Sequence, residues 1–162
     1  MKVHARDTRL RAARVAALGF ALTTSAATAI AALGGNVGSV EADRLQMRAV
    51  RQAASPGITG SVQEMRLPDG STIRQFVNAR GIVYAVAWSA RVKPDFTQLL
   101  GRHAASFDAG AAAAARQPGL KRSITVDQGD LVVVSSGRPG AFVGRAWLKS
   151  ELPAGAATDA IR

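Results

Sequence analysis

Apolar and polar residues alternate in three short runs across residues 61–89, and turn signals separate the runs. The turns are the PDG at 68–70 and the NARG at 78–81, and Pro, Asn, Asp and Gly are the residues that tight turns favour. Alternation with a period of two indicates strands that bury one face. The pattern therefore predicts a three-stranded antiparallel meander.

The third run, residues 82–89, is apolar on both faces, which is typical of a central strand covered on both sides. Its bulky face carries Ile82, Tyr84, Val86 and Trp88, and its small face carries Val83, Ala85 and Ala87. Small side chains allow a helix to approach closely. We therefore expect the helix that follows to pack on the small face.

A helical pattern begins at Asp95, which suits a helix cap with Gln98 three residues on. The apolar positions of this pattern recur at helical spacing and are Phe96, Leu99, Leu100, His103, Ala104 and Phe107. Residues 109–115 are rich in Ala, which favours helix, but they carry no bulky side chain. We expect them to form a weakly anchored surface segment.

Three further apolar runs lie in the C-terminal part of the chain. Residues 123–126 and 131–135 predict a hairpin, and residues 141–148 are typical of another strand. Gly144 within the last run indicates a bulge or a close backbone approach.

These elements predict an α+β domain over residues 61–152. We expect an antiparallel sheet of about five strands, in the order β-β-β-α-β-β, with one main helix packed on one face. Residues 32–60 lack a clean strand pattern and are expected to be a linker or a loose N-terminal arm. Residues 153–162 are small and polar, and we expect a flexible tail there.

Residues 1–31 contain a basic stretch, an apolar run and small residues in the order of a secretory signal peptide. An A-x-A pattern ends at Ala31 and predicts cleavage before Ala32. The protein is therefore expected to be periplasmic or secreted. Residues 15–33 carry no charge and are nearly long enough to cross a bilayer, so a retained membrane anchor is the alternative. We expect a membrane contact only through the leader, and only if the leader is not cleaved.

The chain carries 21 Lys and Arg against 11 Asp and Glu, a formal net charge of +10. The basic residues are scattered and do not alternate with aromatic ones, which argues against a nucleic-acid partner. There is no Cys, which excludes disulfides, thiolate zinc sites and Cys nucleophiles. Asp127 and Asp130 are typical of a turn and not of a calcium loop. We expect no cofactor and no metal.

The candidate ligand-contact residues, if a sheet face is left open, are Tyr84, Trp88, Trp147, Arg74 and Arg145. Core packing of the aromatic residues, with solvated arginines, is the alternative interpretation. His103 is the only His after the leader, so it is the only candidate base for a small exported hydrolase. No nucleophile elbow accompanies it, and we name no catalytic residue.

Five segments occur in an order that resembles a known family: residues 69–77, 81–88, 94–101, 130–133 and 140–148. They are similar to the exported bacterial proteins grouped as domain of unknown function 2844. The resemblance covers most of the chain after the leader, except residues 109–115. It implies an exported envelope protein without an assigned activity. We expect a non-enzymatic binding or accessory module of the envelope, whose partner is an envelope protein or an anionic envelope polymer.

Overall fold

The computed structural model describes residues 33–57, 60–116 and 123–162. The predicted signal peptide and its junction at Ala31 and Ala32 lie outside these residues, so both stay predictions. Within the described residues, no helix combines the length and the apolar character needed to span a membrane.

One antiparallel sheet of seven strands forms the centre of the fold. The strands are β1 (Val50–Gly57), β2 (Gly60–Arg66), β3 (Thr72–Asn78), β4 (Val83–Ala90), β5 (Ser123–Gln128), β6 (Leu131–Arg138) and β7 (Ala141–Leu148). Their order across the sheet is β1-β2-β3-β4-β7-β6-β5, which puts β4 in the middle. The α+β class and the antiparallel sheet are confirmed, whereas the expected count of about five strands is wrong.

One of the additional strands is β1, which lies in the segment that we expected to be a linker or loose arm. It is an edge strand that pairs only with β2. The register shifts between Arg51 and Ala53, so the sequence shows no regular alternation there. The other additional strand is in the C-terminal half, where all three predicted runs form strands, β5, β6 and β7, although the expected order allowed only two strands after the helix.

The helices are α1 (Val37–Gln46), α2 (Phe96–Leu100) and α3 (Ala104–Ala115), with short 3-10 turns at Gly101–His103 and Thr158–Ala160. Asp95 caps α2 as predicted, because its Oδ1 accepts from the main-chain N–H groups of Thr97 and Gln98 at 2.8 and 3.2 Å. The expected single helix is divided at Gly101, whose φ of +52° interrupts the helical backbone.

The larger core lies between the sheet and the helices, on what we call the helix-side face. Val86 and Trp88 of β4 belong to it, so the expectation that the helix packs on the small face is wrong. Phe96 of α2 meets the indole of Trp88 edge-on, with 5.5 Å between ring centroids. The bulky indole fits because it lies over Gly144 of β7, where a Cβ would come within 2.3 Å of Trp88 Cζ2. The predicted close approach at Gly144 is therefore confirmed.

The opposite face, which we call the tail-side face, is covered in part by the C-terminal segment. Ala85 and Ala87 are buried there against Ile161, which is 2% exposed. The small side chains of β4 thus make room for this segment and not for the helix. Residues 153–162, which we expected to be a flexible tail, include a 3-10 turn and this buried anchor.

Helix α3 packs against β5 through Gly110. Gly110 is buried, and a Cβ at that position would lie 2.3 Å from Cγ1 of Val126. The Ala-rich segment is therefore anchored at this glycine, contrary to the expected weak attachment.

Candidate functional site

An open groove of about 520 Å³ lies on the tail-side face of the sheet. Two neighbouring cross-strand rows form it. The first row contains Glu64, Arg74, Ala87, Arg145 and Val134, and the second contains Arg66, Thr72, Ser89, Val143 and Ser136. Ile161 and Arg162 of the tail form the remaining wall. We refer to this site as the groove.

Arg74 and Arg145 flank Ala87 because β3 and β7 are the two neighbours of β4. Adjacent strands lie about 4.8 Å apart, so the two arginine Cα atoms are separated by roughly 10 Å. Ala87 is buried at the base between them. Its methyl group packs against Ile161 of the tail, so no large side chain of the central strand separates the two arginines.

The tail and one glutamate hold both guanidinium groups. Arg74 Nε donates to Glu64 Oε2 at 2.7 Å, and its Nη1 donates to the main-chain oxygen of Arg162 at 2.8 Å. Arg145 Nη1 donates to the main-chain oxygen of Thr158 at 3.0 Å. These bonds fix two side chains that would otherwise sample many rotamers, and each guanidinium has further N–H donors.

The groove has a strong positive balance. Four arginines line it, Arg66, Arg74, Arg145 and Arg162, against the single glutamate Glu64. Asp159 also lies 3.5 Å from Arg145, so the four arginines exceed the two carboxylates by two positive charges. This excess lies around a concave surface, where it favours binding of an anion. Arg74 and Arg145 have 43% and 29% of their side chains exposed, so both can reach a ligand.

The structure brings some of the predicted contact residues together and separates others. Arg74 and Arg145 lie in the groove, and Trp147 is next to it with the Arg145 guanidinium 5.8 Å from its ring centroid. Trp88 borders the groove, but its indole belongs to the helix-side core. Tyr84 is buried beside Phe76 and lines a separate uncharged cavity of about 260 Å³.

Trp88 is nevertheless unusual within the core. It is 3% exposed, and its Nε1 has no hydrogen-bond partner among the described residues. Because a buried donor without a partner is costly, the indole is held there by its packing on Phe96 and Gly144.

Sequence reasoning missed the second row of the groove and the tail. The alternation in the first strand of the meander already put Glu64 and Arg66 on one face. Their approach to Val143 depends on the pairing of β4 with β7, which joins segments far apart in the chain. No local pattern signals that pairing.

His103 is half-buried at the end of the 3-10 turn before α3, and it accepts a hydrogen bond at Nε2 from Arg102 Nε at 3.2 Å. Desolvation lowers the pKa of His103, and the charge of Arg102 lowers it further, while Asp130 partly opposes both. The Ser150 hydroxyl donates to Asp130 Oδ2 at 2.7 Å. This serine is therefore bonded to the carboxylate and not to the imidazole, and the described residues assemble no Ser-His-Asp triad around His103.

The turn between β5 and β6 is held by side-chain contacts from the end of β7. Asp127 pairs with Lys149, and Asp130 accepts from the main-chain N–H and hydroxyl of Ser150. Burial raises the pKa of Asp130, but the bonds from Ser150 and the nearby His103 and Lys149 lower it by more. Asp127 and Asp130 thus stabilise a turn, as predicted. Among the described residues, no group of three or more His, Asp or Glu side chains could hold a metal.

The chain was also compared with known proteins. A family model described as "Protein of unknown function (DUF2844)" matches residues 29–161, in agreement with the resemblance of the five segments. No curated protein and no solved structure matches the chain.

Proposed function

The chain belongs to the DUF2844 family, and we propose that it is an exported, non-enzymatic binding module of the bacterial cell envelope. Its groove recognises an anionic component of that envelope. The observation that carries this proposal is the excess of two positive charges, four arginines against Glu64 and Asp159, around an uncovered part of the sheet. Arginines held by hydrogen bonds on the two strands that flank β4 are suited to binding carboxylate or phosphate groups.

Export is supported by the pattern of residues 1–31. The position of Leu33 is consistent with cleavage before Ala32. Leu33 is 1% exposed, and its N–H donates to the main-chain oxygen of Leu99 at 3.2 Å. The folded domain thus includes the residue next to the proposed mature N-terminus.

No observation favours the hydrolase alternative. A hydrolase that used His103 as a base would need a nucleophile within hydrogen-bond reach of its imidazole. The hydrogen bond recorded for the imidazole comes from Arg102, and the hydroxyl of Ser150 donates to Asp130.

Cell fractionation tests the export part of the proposal. The full chain is expressed in a bacterial host, and the intact mass of the protein is measured in each fraction. We expect a species that begins at Ala32 in the periplasm or the medium. A membrane-bound species that begins at Met1 would instead establish the retained anchor, and a cytoplasmic protein would contradict export.

Binding to dextran sulfate, a soluble anionic polymer, tests anion recognition by the exported protein. We expect the Arg74→Gln/Arg145→Gln variant to bind roughly tenfold more weakly or worse, because it loses two charge-assisted contacts. The control is Arg91→Gln/Arg116→Gln, which removes the same charge at exposed positions outside the groove. An equal loss in both variants would show that the whole basic surface binds the polymer, and it would contradict a specific site.

A further inference from the structure

We propose that the groove takes an anionic amphiphile, a molecule with one carboxylate or phosphate head and a single acyl chain. This inference rests on the proposed function and names the ligand class of the same site. It follows from the arrangement of charged and apolar side chains along the two rows.

The head group binds between Arg74 and Arg145. The two side chains come from the two strands beside β4, and Ala87 between them projects only a methyl group. The main-chain oxygens of Arg162 and Thr158 hold the guanidinium groups in position. A carboxylate or phosphate between the two guanidinium groups can therefore accept hydrogen bonds from both sides without a large loss of side-chain entropy.

The acyl chain lies over the apolar part of the groove. Val134 follows Arg145 in the first row, and Val143 occupies the neighbouring row. Val143 is 49% exposed although β7 is an interior strand with neighbours on both sides. Exposed apolar surface that is surrounded by cationic side chains is typical of a site for a ligand with an anionic group and an apolar chain.

The same surface is poorly suited to recognising an uncharged sugar polymer by its rings. Sugar rings are commonly bound by stacking on exposed aromatic side chains, and the only aromatic residue among the described ones that line the groove is Trp88, which is 3% exposed. Tyr84 belongs to a different cavity. The volume of about 520 Å³ falls within the ordinary range for sites that take small molecules, roughly 300–1,000 Å³.

Calorimetric titration of the exported protein tests the ligand class. The probes are decanoate and decyl phosphate below their critical micelle concentrations, decyltrimethylammonium with the same chain, and inorganic phosphate without a chain. We expect both anionic amphiphiles to bind at least roughly tenfold more tightly than the other two, because each of these lacks one of the two contacts.

Two variants assign the binding to the groove. Arg145→Gln is expected to weaken decanoate binding by roughly tenfold, because it removes a charged donor. Val143→Thr keeps the branched shape that suits a strand, and the loss of apolar contact is expected to weaken binding by about threefold. The matched controls are Arg91→Gln and Val50→Thr, at exposed positions outside the groove, and both should bind like the wild type.

The results that would overturn the inference are distinct from each other. Inorganic phosphate that binds as tightly as decanoate would indicate a simple anion site. Decyltrimethylammonium that binds as tightly would indicate an apolar patch without charge selection. If Val143→Thr binds decanoate like the wild type, the proposed contact between Val143 and the acyl chain is wrong.

Two further comparisons complete the test. Vesicles of phosphatidylglycerol present the anionic head groups as a membrane surface; retention on vesicles without decanoate binding would overturn the inference. Groove-dependent binding of dextran sulfate without decanoate binding would leave the proposed function standing while the inference fails. Binding of neither probe would contradict both.

Discussion

Ala87 is the residue that organises the candidate site, because its two cross-strand neighbours are Arg74 and Arg145. The sequence already indicated that Ala87 lies on the small face of a central strand. It did not indicate what covers that face, since Ile161 is separated from it by most of the C-terminal half. An alanine at this position predicts that another group can approach the strand closely. It does not predict which segment of the chain that group belongs to.

His103 gives a prediction at the same scale. Its pKa is lowered in the folded state, mainly by desolvation and then by Arg102. The unfolded chain therefore binds more protons near the ordinary pKa of about 6.5, so the free energy of unfolding should fall as the pH decreases from 7 to 5.5. Protonated Nε2 can no longer accept the hydrogen bond from Arg102. The loss of this bond also lowers the free energy of unfolding as the pH decreases.

Urea unfolding of the protein at several pH values measures this dependence. After residue 31 His103 is the only histidine in the sequence, so His103→Gln should flatten the slope over this range. The variant is compared by its slope and not by its absolute stability, because glutamine also changes the contact with Arg102. A slope that is equal in both proteins would contradict the assignment to His103.

The helices show how element boundaries depend on single residues. One continuous helix over the apolar pattern was expected after Asp95, but Gly101 divides it into α2 and α3. The Ala-rich part then depends on Gly110 for its approach to β5. Periodicity predicted the face of this region correctly for Leu99, Leu100 and Phe107, which are all buried in the helix-side core.

Gly110→Ala provides a prediction with an informative sign. In an exposed helix, alanine in place of glycine stabilises by up to about 1 kcal/mol. Here the added Cβ would lie 2.3 Å from Cγ1 of the buried Val126, so we expect the free energy of unfolding to fall by about 1–3 kcal/mol. Urea unfolding measures the change.

The double variant Gly110→Ala/Val126→Ala is the control for this contact. Removal of the two Val126 methyl groups relieves the clash, so the added cost of Gly110→Ala should disappear or change sign in that background. The same cost in both backgrounds would mean that the contact with Val126 is not its cause.

At the scale of the whole molecule, local pattern predicted the meander, the cap at Asp95 and most strand positions. It could not predict the order of the sheet, because the pairing of Ala85 with Trp147 joins positions 62 residues apart. It also missed β1, whose irregular edge pairing leaves no alternation in the sequence. The part of the groove on β2, β3 and β4 could be predicted from the meander. The part on β7 and β6 depends on the long-range pairing of β4 with β7.

Ile161→Ala tests whether the C-terminal segment is part of the cooperative fold. Its side chain is 2% exposed against Ala85 and Ala87, so truncation should lower the free energy of unfolding by about 2–4 kcal/mol. The control Leu45→Ala removes a similar side chain that is 62% exposed and should change it by less than about 0.5 kcal/mol. Urea unfolding followed by tryptophan fluorescence gives both values, and equal small effects would indicate a segment that frays independently.

The central position of β4 has a consequence for how the chain acquires its fold. One edge of β4 pairs with β3, which precedes it by a few residues. The other edge pairs with β7, which is the last strand in the chain. Closure of such a long loop is slow relative to local pairing. A ribosome or a translocation channel that still holds residues 141–148 therefore keeps the sheet open. For an exported chain, this delay would maintain the unfolded state that threading through a narrow channel requires, and folding would finish on the far side of the membrane.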